Sequence, residues 1–279
     1  MTLPARPHGR LSLELVCDNG RTVIAHQQFD FPLQIFGLQY AAGSDTAYLQ
    51  VVNPCGGLFA GDTADIEVTL QPGAHVYLTT QAATKVYPAA HSGVTRQRIR
   101  LRVAQAAILE YFPLPLIPFA HARYVQEVAI QVDRSGVCLM ADVLAPGRIA
   151  RGEQFAYDTV RSRVEGWVAD RLALFEQIIL EPRKRSSEGA GLLEGRAYLA
   201  TLYALTAQPL EPWVPQWNRQ LMLHYGERIG ISALAYGGLV VRLLGRTSQE
   251  VLRRLDEVHR LIREQGLGLP PLHVYRPFA

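Results

Sequence analysis

From residue 11 to about residue 180 the chain reads as strand after strand, and that succession limits the fold more than any other feature. LSLELV, TVIAHQQF, AYLQVV, DIEVTL, HVYLTTQ, QRIRLRV, EVAIQV, VCLMADVL and FAYDTVRSRVEGWV alternate apolar with polar residues or run apolar. They are rich in the β-branched and aromatic residues that suit a pleated surface. Asp18-Asn19-Gly20, Pro72-Gly73, Ser135-Gly136 and Pro146-Gly147 punctuate them as turns. The body of the chain is therefore mainly β, with no fixed repeat period visible.

After Gly191 the pattern changes. LLEGRAYLATLYAL and GISALAYGGLVVRLLG read as long apolar strands, and VPQWNRQLMLHYGE reads as a helix near 214–225. A second helix covers 248–265. Thr247 and Glu250 make a capping box, Val251, Leu255, Val258 and Ile262 form one stripe, and Gly266 stops it. The stripe is expected to pack on the β body, while the two apolar strands are expected to be surface that a partner covers. Short connections argue for a single domain over 1–279.

With 48% hydrophobic residues the chain can bury a large core, and its net charge of +3 is mild. Arg183-Lys184-Arg185 is a lone basic cluster without interleaved aromatics, so nucleic acid is not an expected partner. Cys17, Cys55 and Cys138 are an odd, scattered set, which argues against a disulfide framework and a structural zinc site. No apolar signal core and no membrane-spanning run occurs, so a cytoplasmic protein with no membrane contact is expected.

The stretch NPCGGLFAGD (Asn53 to Asp62) has the glycine spacing of a phosphate-binding loop, but Asp62 stands where that loop needs Lys. No nucleophile elbow or zinc-binding His pair is present either, so the chain is not expected to be an enzyme. His75 and His121 read first as structural residues. The carboxylates say more. Glu110 in AAILEYFPLPLIPFA and Asp142 in VCLMADVLAPG sit among apolar residues. An ionised acid there must be paired, hydrogen-bonded or bound to a cation. Arg148 and Arg151 are candidate partners. Asp62 and Glu153 follow glycines and read as turn residues. An alternative uses two of these acids as the catalytic pair of a carbohydrate-active β-helix enzyme. A pure binding module with a structural acid network is a third reading.

Four stretches occur in order: NPCGGLFAGD, LTTQAATKVYP (Leu78 to Pro88), LEYFPLPLIPF (Leu109 to Phe119) and GRIARGEQF (Gly147 to Phe155). With the late YGGLVVRLLG (Tyr236 to Gly245) they resemble the signatures of the urease accessory protein UreD family, also called UreH. Cys55, Ala60 and Leu114-Pro115 depart from the family's usual Pro, Gly and polar pair, and Cys55 is a candidate extra soft ligand. The resemblance implies a non-enzymatic maturation factor built as a helically layered, β-helix-like stack of sheets with two helices near the C-terminus. It implies UreF, the GTPase UreG and apo-urease as partners, and transient Ni2+ rather than a tightly bound cofactor. It also implies an internal, water-filled passage for nickel, for which Asp62, Glu110, Asp142 and Glu153 are the candidate residues. Spaced single carboxylates suit such a conduit, because an ion must enter and also leave, whereas nitrogen and sulfur cages would hold nickel tightly.

Overall fold

The computed structural model describes residues 8–272 and 274, apart from 42, 90–92, 187, 188, 190–192 and 226–227. Part of the basic loop, and the Gly-Glu end of the first expected helix, thus lie outside the described residues. The chain opens with an antiparallel hairpin, β1 (His8–Asp18) and β2 (Arg21–Asp30), followed by the two-residue strands β3 (Gln34–Ile35) and β4 (Gln39–Tyr40). It then winds into coils. β5 (Ala47–Val52), β7 (His75–Thr80), β10 (Ile108–Phe112) and β13 (Val137–Leu144) pair in parallel on one side. β6 (Thr63–Leu70), β9 (Thr95–Val103), β12 (Arg123–Val132) and β14 (Thr159–Val168) pair in parallel on the other. Short strands β8 (Thr84–Val86) and β11 (Leu116–Pro118) lie between them.

This is the helically layered, β-solenoid-like stack that the strand succession and the family resemblance imply. Position 63 stands beside 96, 95 beside 124, and 123 beside 159, so successive coils advance by 33, 29 and 36 residues. Unequal coils explain why no period is visible in the sequence. The corner that leads from the second sheet back to the first is a short, stacked turn. Gly73 N–H donates to Gln105 O, and Asp133 N–H donates to Val103 O.

β15 (Arg171–Leu180) closes the solvent-facing sheet as a hairpin with β14, an element absent from the sequence reading. β16 (Tyr198–Thr206), β18 (Leu239–Gly245) and β17 (Ile229–Ala233) extend the other sheet in antiparallel order, giving sheets of 7 and 11 strands. α1 (Val214–Tyr225) and α2 (Ser248–Leu261) cover that larger sheet. Its central strands are therefore buried on both faces, which removes their alternation and makes them read as apolar runs. The strand YLATLYAL, expected to be partner-covered surface, is instead buried in the middle of this sheet by the chain's own helices. Exposed apolar side chains lie elsewhere, on Phe175 and Ile179 of β15 and Met222 and Leu223 of α1.

The second helix starts as its capping box requires: the Thr247 hydroxyl accepts from Glu250 N–H, and Glu250 Oε2 accepts from Arg246 N–H at 2.7 Å. Its stripe of Val251, Leu255, Val258 and Ile262 is fully buried on the sheet. The last turn widens into a π-helical turn, Ile262–Gly266, which rotates Arg263 inward to 1% exposure. Among the described residues no helix is long and apolar enough to cross a membrane.

Edge strand β17 is closed by a side chain. Asn218 of α1 donates to Ile231 O and accepts from Ile231 N–H, each at 2.9 Å, as a neighbouring strand would. Asn218→Ala leaves both strand groups without this partner. It is expected to cost about 1–3 kcal/mol, read as a lower urea midpoint with an unchanged slope.

Candidate functional site

The four motif stretches become neighbours at one corner of the stack. Leu58 N–H donates to Lys85 O and Tyr87 N–H donates to Leu58 O, which ties the first motif to the second. Phe119 N–H donates to Val86 O, and Ala145 N–H donates to Leu116 O, which ties in the third and the approach to the fourth. Phe59 stacks on Tyr87 at 4.6 Å, Tyr87 meets Phe119 edge-on at 5.0 Å, and the Arg148 guanidinium lies 4.1 Å from the Phe119 ring centre. Gly57 is required here, since a Cβ would meet Lys85 O at 2.6 Å. The Leu114-Pro115 departure is held by backbone: Leu114 N–H donates to the Thr80 hydroxyl and Pro115 O accepts from Thr84 N–H.

Two of the four acids belong to this corner. Asp62 Oδ2 accepts from Phe59 N–H at 2.8 Å, so the acid that ends the glycine-rich stretch closes its own loop. Glu153 is gripped by Arg148 through two contacts, with Nε to Oε2 at 2.7 Å, and accepts from Ala120 N–H at 3.1 Å. The Arg148 hydrogen bonds hold its carboxyl below the usual range.

Asp142 points the other way, into the space between the sheets. Strand register puts Gln97, Gln126 and Ser162 side by side in one interior row. Facing it, Asp142, Thr201 and Arg242 form a second row. Gln126 Nε2 donates to Asp142 Oδ2 at 3.0 Å, and Tyr124 Oη donates to Gln126 Oε1 at 3.0 Å. No arginine pairs with Asp142 among the described ion pairs: Arg148, a candidate from the sequence, is taken by Glu153. Burial, with a further push from Glu176, raises the Asp142 pKa to about 6, against the pull of hydrogen bonds from Gln126 and Ser162. Burial and the Asp142 charge push the phenols of Tyr111, Tyr124 and Tyr203 up. A narrow cleft lined by Asn53, Gln81, Thr84 and Gln97 connects this row to the motif corner.

Glu110 lies on the opposite face of the larger sheet, under α2, with no exposed surface. His75 Nε2 stands 2.8 Å from Oε1, and His259 Nε2 and Arg263 Nη1 complete a cluster whose outer members, His259 and Arg263, line the cleft at α2. An ionised carboxylate accepts from both imidazoles, so each carries its proton on Nε2. Burial alone would raise the Glu110 pKa. The His259 and His75 hydrogen bonds and the Arg263 charge outweigh it and hold the carboxyl far below the ordinary range.

The four acids therefore occupy three environments: a corner, a row between the sheets and a cluster beneath α2. None of the four lines the clefts at α2, at the motif corner, at the basic loop or on the outer face of β9, β12 and β14, so none of these clefts presents a glycosidase pair. Nor do three His, Cys, Asp or Glu side chains gather as a metal site among the described residues. Cys55 is half-buried, with its N–H bonded to Asn53 Oδ1.

A family model described as UreD urease accessory protein matches residues 7–275. The chain belongs to the UreD urease accessory protein family. It is 33% identical over 264 residues to the urease accessory protein UreD of Actinomyces naeslundii, covering 95% of this chain and 97% of the relative. To the UreD of Arthrobacter sp. (strain FB24) it is 31% identical over 275 residues, 96% and 94% of the two chains. The UreD of Cenarchaeum symbiosum (strain A) is 28% identical over 263 residues, 92% of each. Membership makes the chain an accessory protein of urease maturation, not an enzyme.

The UreD motifs pointed to the corner, yet the interior partners of Asp142 and the His259–Arg263 half of the Glu110 cluster were missed. Period-2 alternation marks Gln126 and Ser162 as inward residues of their strands, and that signal was available. Nothing local links Glu110 to Arg263, which lies 153 residues away.

Buried Glu110 and half-buried Asp142 should respond to neutralisation with opposite sign. Glu110→Gln leaves Arg263 buried without its counter-charge and is expected to cost about 3–5 kcal/mol near neutral pH. Because the folded pKa of Glu110 lies below its unfolded value, this contribution is fully present above about pH 4.5 and fades as the pH falls further. Asp142 has the reverse shift, from 3.8 to about 6, so its ionisation opposes folding above pH 6. Asp142→Asn is expected to stabilise by about 1–3 kcal/mol at pH 7.5, with the gain gone below about pH 4. Urea unfolding of the two variants across pH 3–8 checks both signs.

Proposed function

We propose that this chain is a urease-maturation scaffold that acts with UreF and UreG to deliver Ni2+ to apo-urease in the cytoplasm. The ion is cargo and passes through the interior row at Asp142, and the chain holds no tightly bound cofactor. The observation that carries this reading is a half-buried acid between two sheets, Asp142, held by a neutral amide beside a hydroxyl. No cation is paired to it among the described ion pairs, and Glu176 acts on it as a second negative charge. Protein interiors exclude such groups unless they serve something, since an unpaired buried carboxylate opposes folding. With Glu176 already paired to Arg242, the Asp142 carboxylate beside Gln126, Ser162 and Tyr124 offers hard oxygen atoms in small number. That set attracts a divalent cation without caging it, which is the balance that conduction requires.

Asp62, Glu110 and Glu153 take a supporting part in this reading. Asp62 and Glu153 shape the corner beside the cleft that leads to Gln97. Glu110 fastens α2 to the sheet whose inner face carries Asp142. Their loss should act through folding and assembly, not through the ion.

The test is co-expression with urease and its accessory partners, with nickel per urease active site and intact accessory complex measured together. Asp142→Asn should leave the complex intact and lower urease nickel by about tenfold, with partial recovery in excess nickel. Glu110→Gln should lower the yield of complex in proportion to any loss of nickel. Full nickel loading in the Asp142→Asn strain would sink the passage.

A further inference from the structure

The facing row of Asp142, Thr201 and Arg242 ends at an ion pair that joins the two sheets. Glu176 lies on β15, the last strand of the smaller sheet, and Arg242 lies on β18 of the larger one. Arg242 Nη2 stands 2.8 Å from Glu176 Oε2. The two residues differ sharply in freedom: the Glu176 side chain is 8% exposed and that of Arg242 is 58% exposed. The contact is not aligned as a hydrogen bond, and neither Glu176 oxygen has a hydrogen-bond partner among the described residues. Buried carboxylate oxygens are rarely left in that state. Thr201 separates Arg242 from Asp142 in the same cross-strand row, and Glu176 is close enough for its charge to act on Asp142.

Resting on the passage reading, we propose that Arg242 is a release gate: it is the resident counter-ion of Glu176, and it keeps this end of the row from trapping the transferred divalent cation. Without it, Glu176 and Asp142 would be two uncompensated carboxylates beside the Thr201, Ser162 and Tyr203 hydroxyls. Two acids and several hydroxyls make a retaining site for a divalent ion, where a conduit needs a releasing one. A guanidinium suits the task because it stays charged at every working pH. Its exposed stem lets it swing toward solvent as the cation reaches Glu176, and return as the cation leaves. No covalent bond changes; one positive group replaces another at the same carboxylate.

The experiment uses the intact complex of this chain with its partners, and NiCl2 alone as the probe in equilibrium dialysis. Arg242→Gln should bind Ni2+ about tenfold more tightly than wild type, the scale of one added charge a few ångströms from a divalent ion. It should also load less nickel into urease. Arg242→Met keeps the aliphatic stem and should behave like Arg242→Gln, while Arg242→Lys keeps the charge and should match wild type. The double variant Glu176→Gln/Arg242→Gln removes acid and counter-ion together and should return affinity to the wild-type range. Neutral variants that bind Ni2+ no more tightly than wild type would overturn the gate. Failure of both neutral variants to assemble would overturn it too, by making Arg242 a structural residue. The passage itself stands or falls separately: unchanged urease nickel in Asp142→Asn defeats it whatever Arg242 does. Lowered nickel in that variant, with ordinary affinity in Arg242→Gln, defeats the gate alone.

Discussion

Parallel register between coils is the constraint on which the rest of the molecule depends. Once residue 63 is fixed beside 96, and 95 beside 124, every position of one coil has a fixed neighbour in the next. Stretches remote in sequence then become contiguous without further design. The four motifs merge into one corner because each occupies the same connection of successive coils. Gln97, Gln126 and Ser162 merge into one interior row for the same reason. Backbone hydrogen bonds carry this register, and a slip of one residue would turn every interior side chain outward.

The same period of two separates Glu110 from Asp142. Glu110 stands beside Leu139, so its strand neighbours Leu109 and Tyr111 share a face with Cys138, Met140 and Asp142. Glu110 thus faces the helices while Asp142 faces the opposite sheet. Each acid sits among apolar residues in sequence, and each looks alike when read locally. Packing gives Glu110 two imidazoles and a guanidinium, and gives Asp142 only neutral donors. Burial pushes both carboxyls up; the His259, His75 and Arg263 partners outweigh it at Glu110 and hold that carboxyl low, whereas at Asp142 burial prevails and the pKa is pushed to about 6.

How much of this was legible follows from the range of each signal. Strand identity, both helices and the Thr247–Glu250 cap depend on neighbours within a few residues, and the sequence displays them. The apolar strand YLATLYAL misled, because apolarity alone does not say whether the covering layer comes from the same chain or another. Here α1 and α2 supply it. β15 escaped because its outward face carries Leu172, Phe175 and Ile179, which blurs the alternation of an edge strand. Coil lengths of 33, 29 and 36 residues hid the repeat. With the register hidden, the partners of Asp142 and Glu110 were out of reach, although each partner was visible as a residue.

A row of amides, phenols and one ionised acid inside a core of Leu and Val is a local break in an otherwise consistent sequence. Thr95, Ile99, Leu101 and Val103 line the interior face of β9 with little exposure, and Gln97 interrupts that series. Val160 and Val164 flank Ser162 on β14 in the same way. The interruptions fall at matched positions of adjacent strands, where apolar residues of similar size would fill the same space but would take away the hydrogen bonds that Gln126 and Ser162 give Asp142. Interruptions scattered at random would cost stability and accomplish nothing. Gln97, Gln126 and Ser162 align on three adjacent strands between Ala64 and Ile178 of the same register, which makes a short polar row in an apolar core, with Glu176 opposite Val164 beside its end. A solenoid suits this because its interior runs the length of the stack, so a polar line needs only one residue per strand at a constant register.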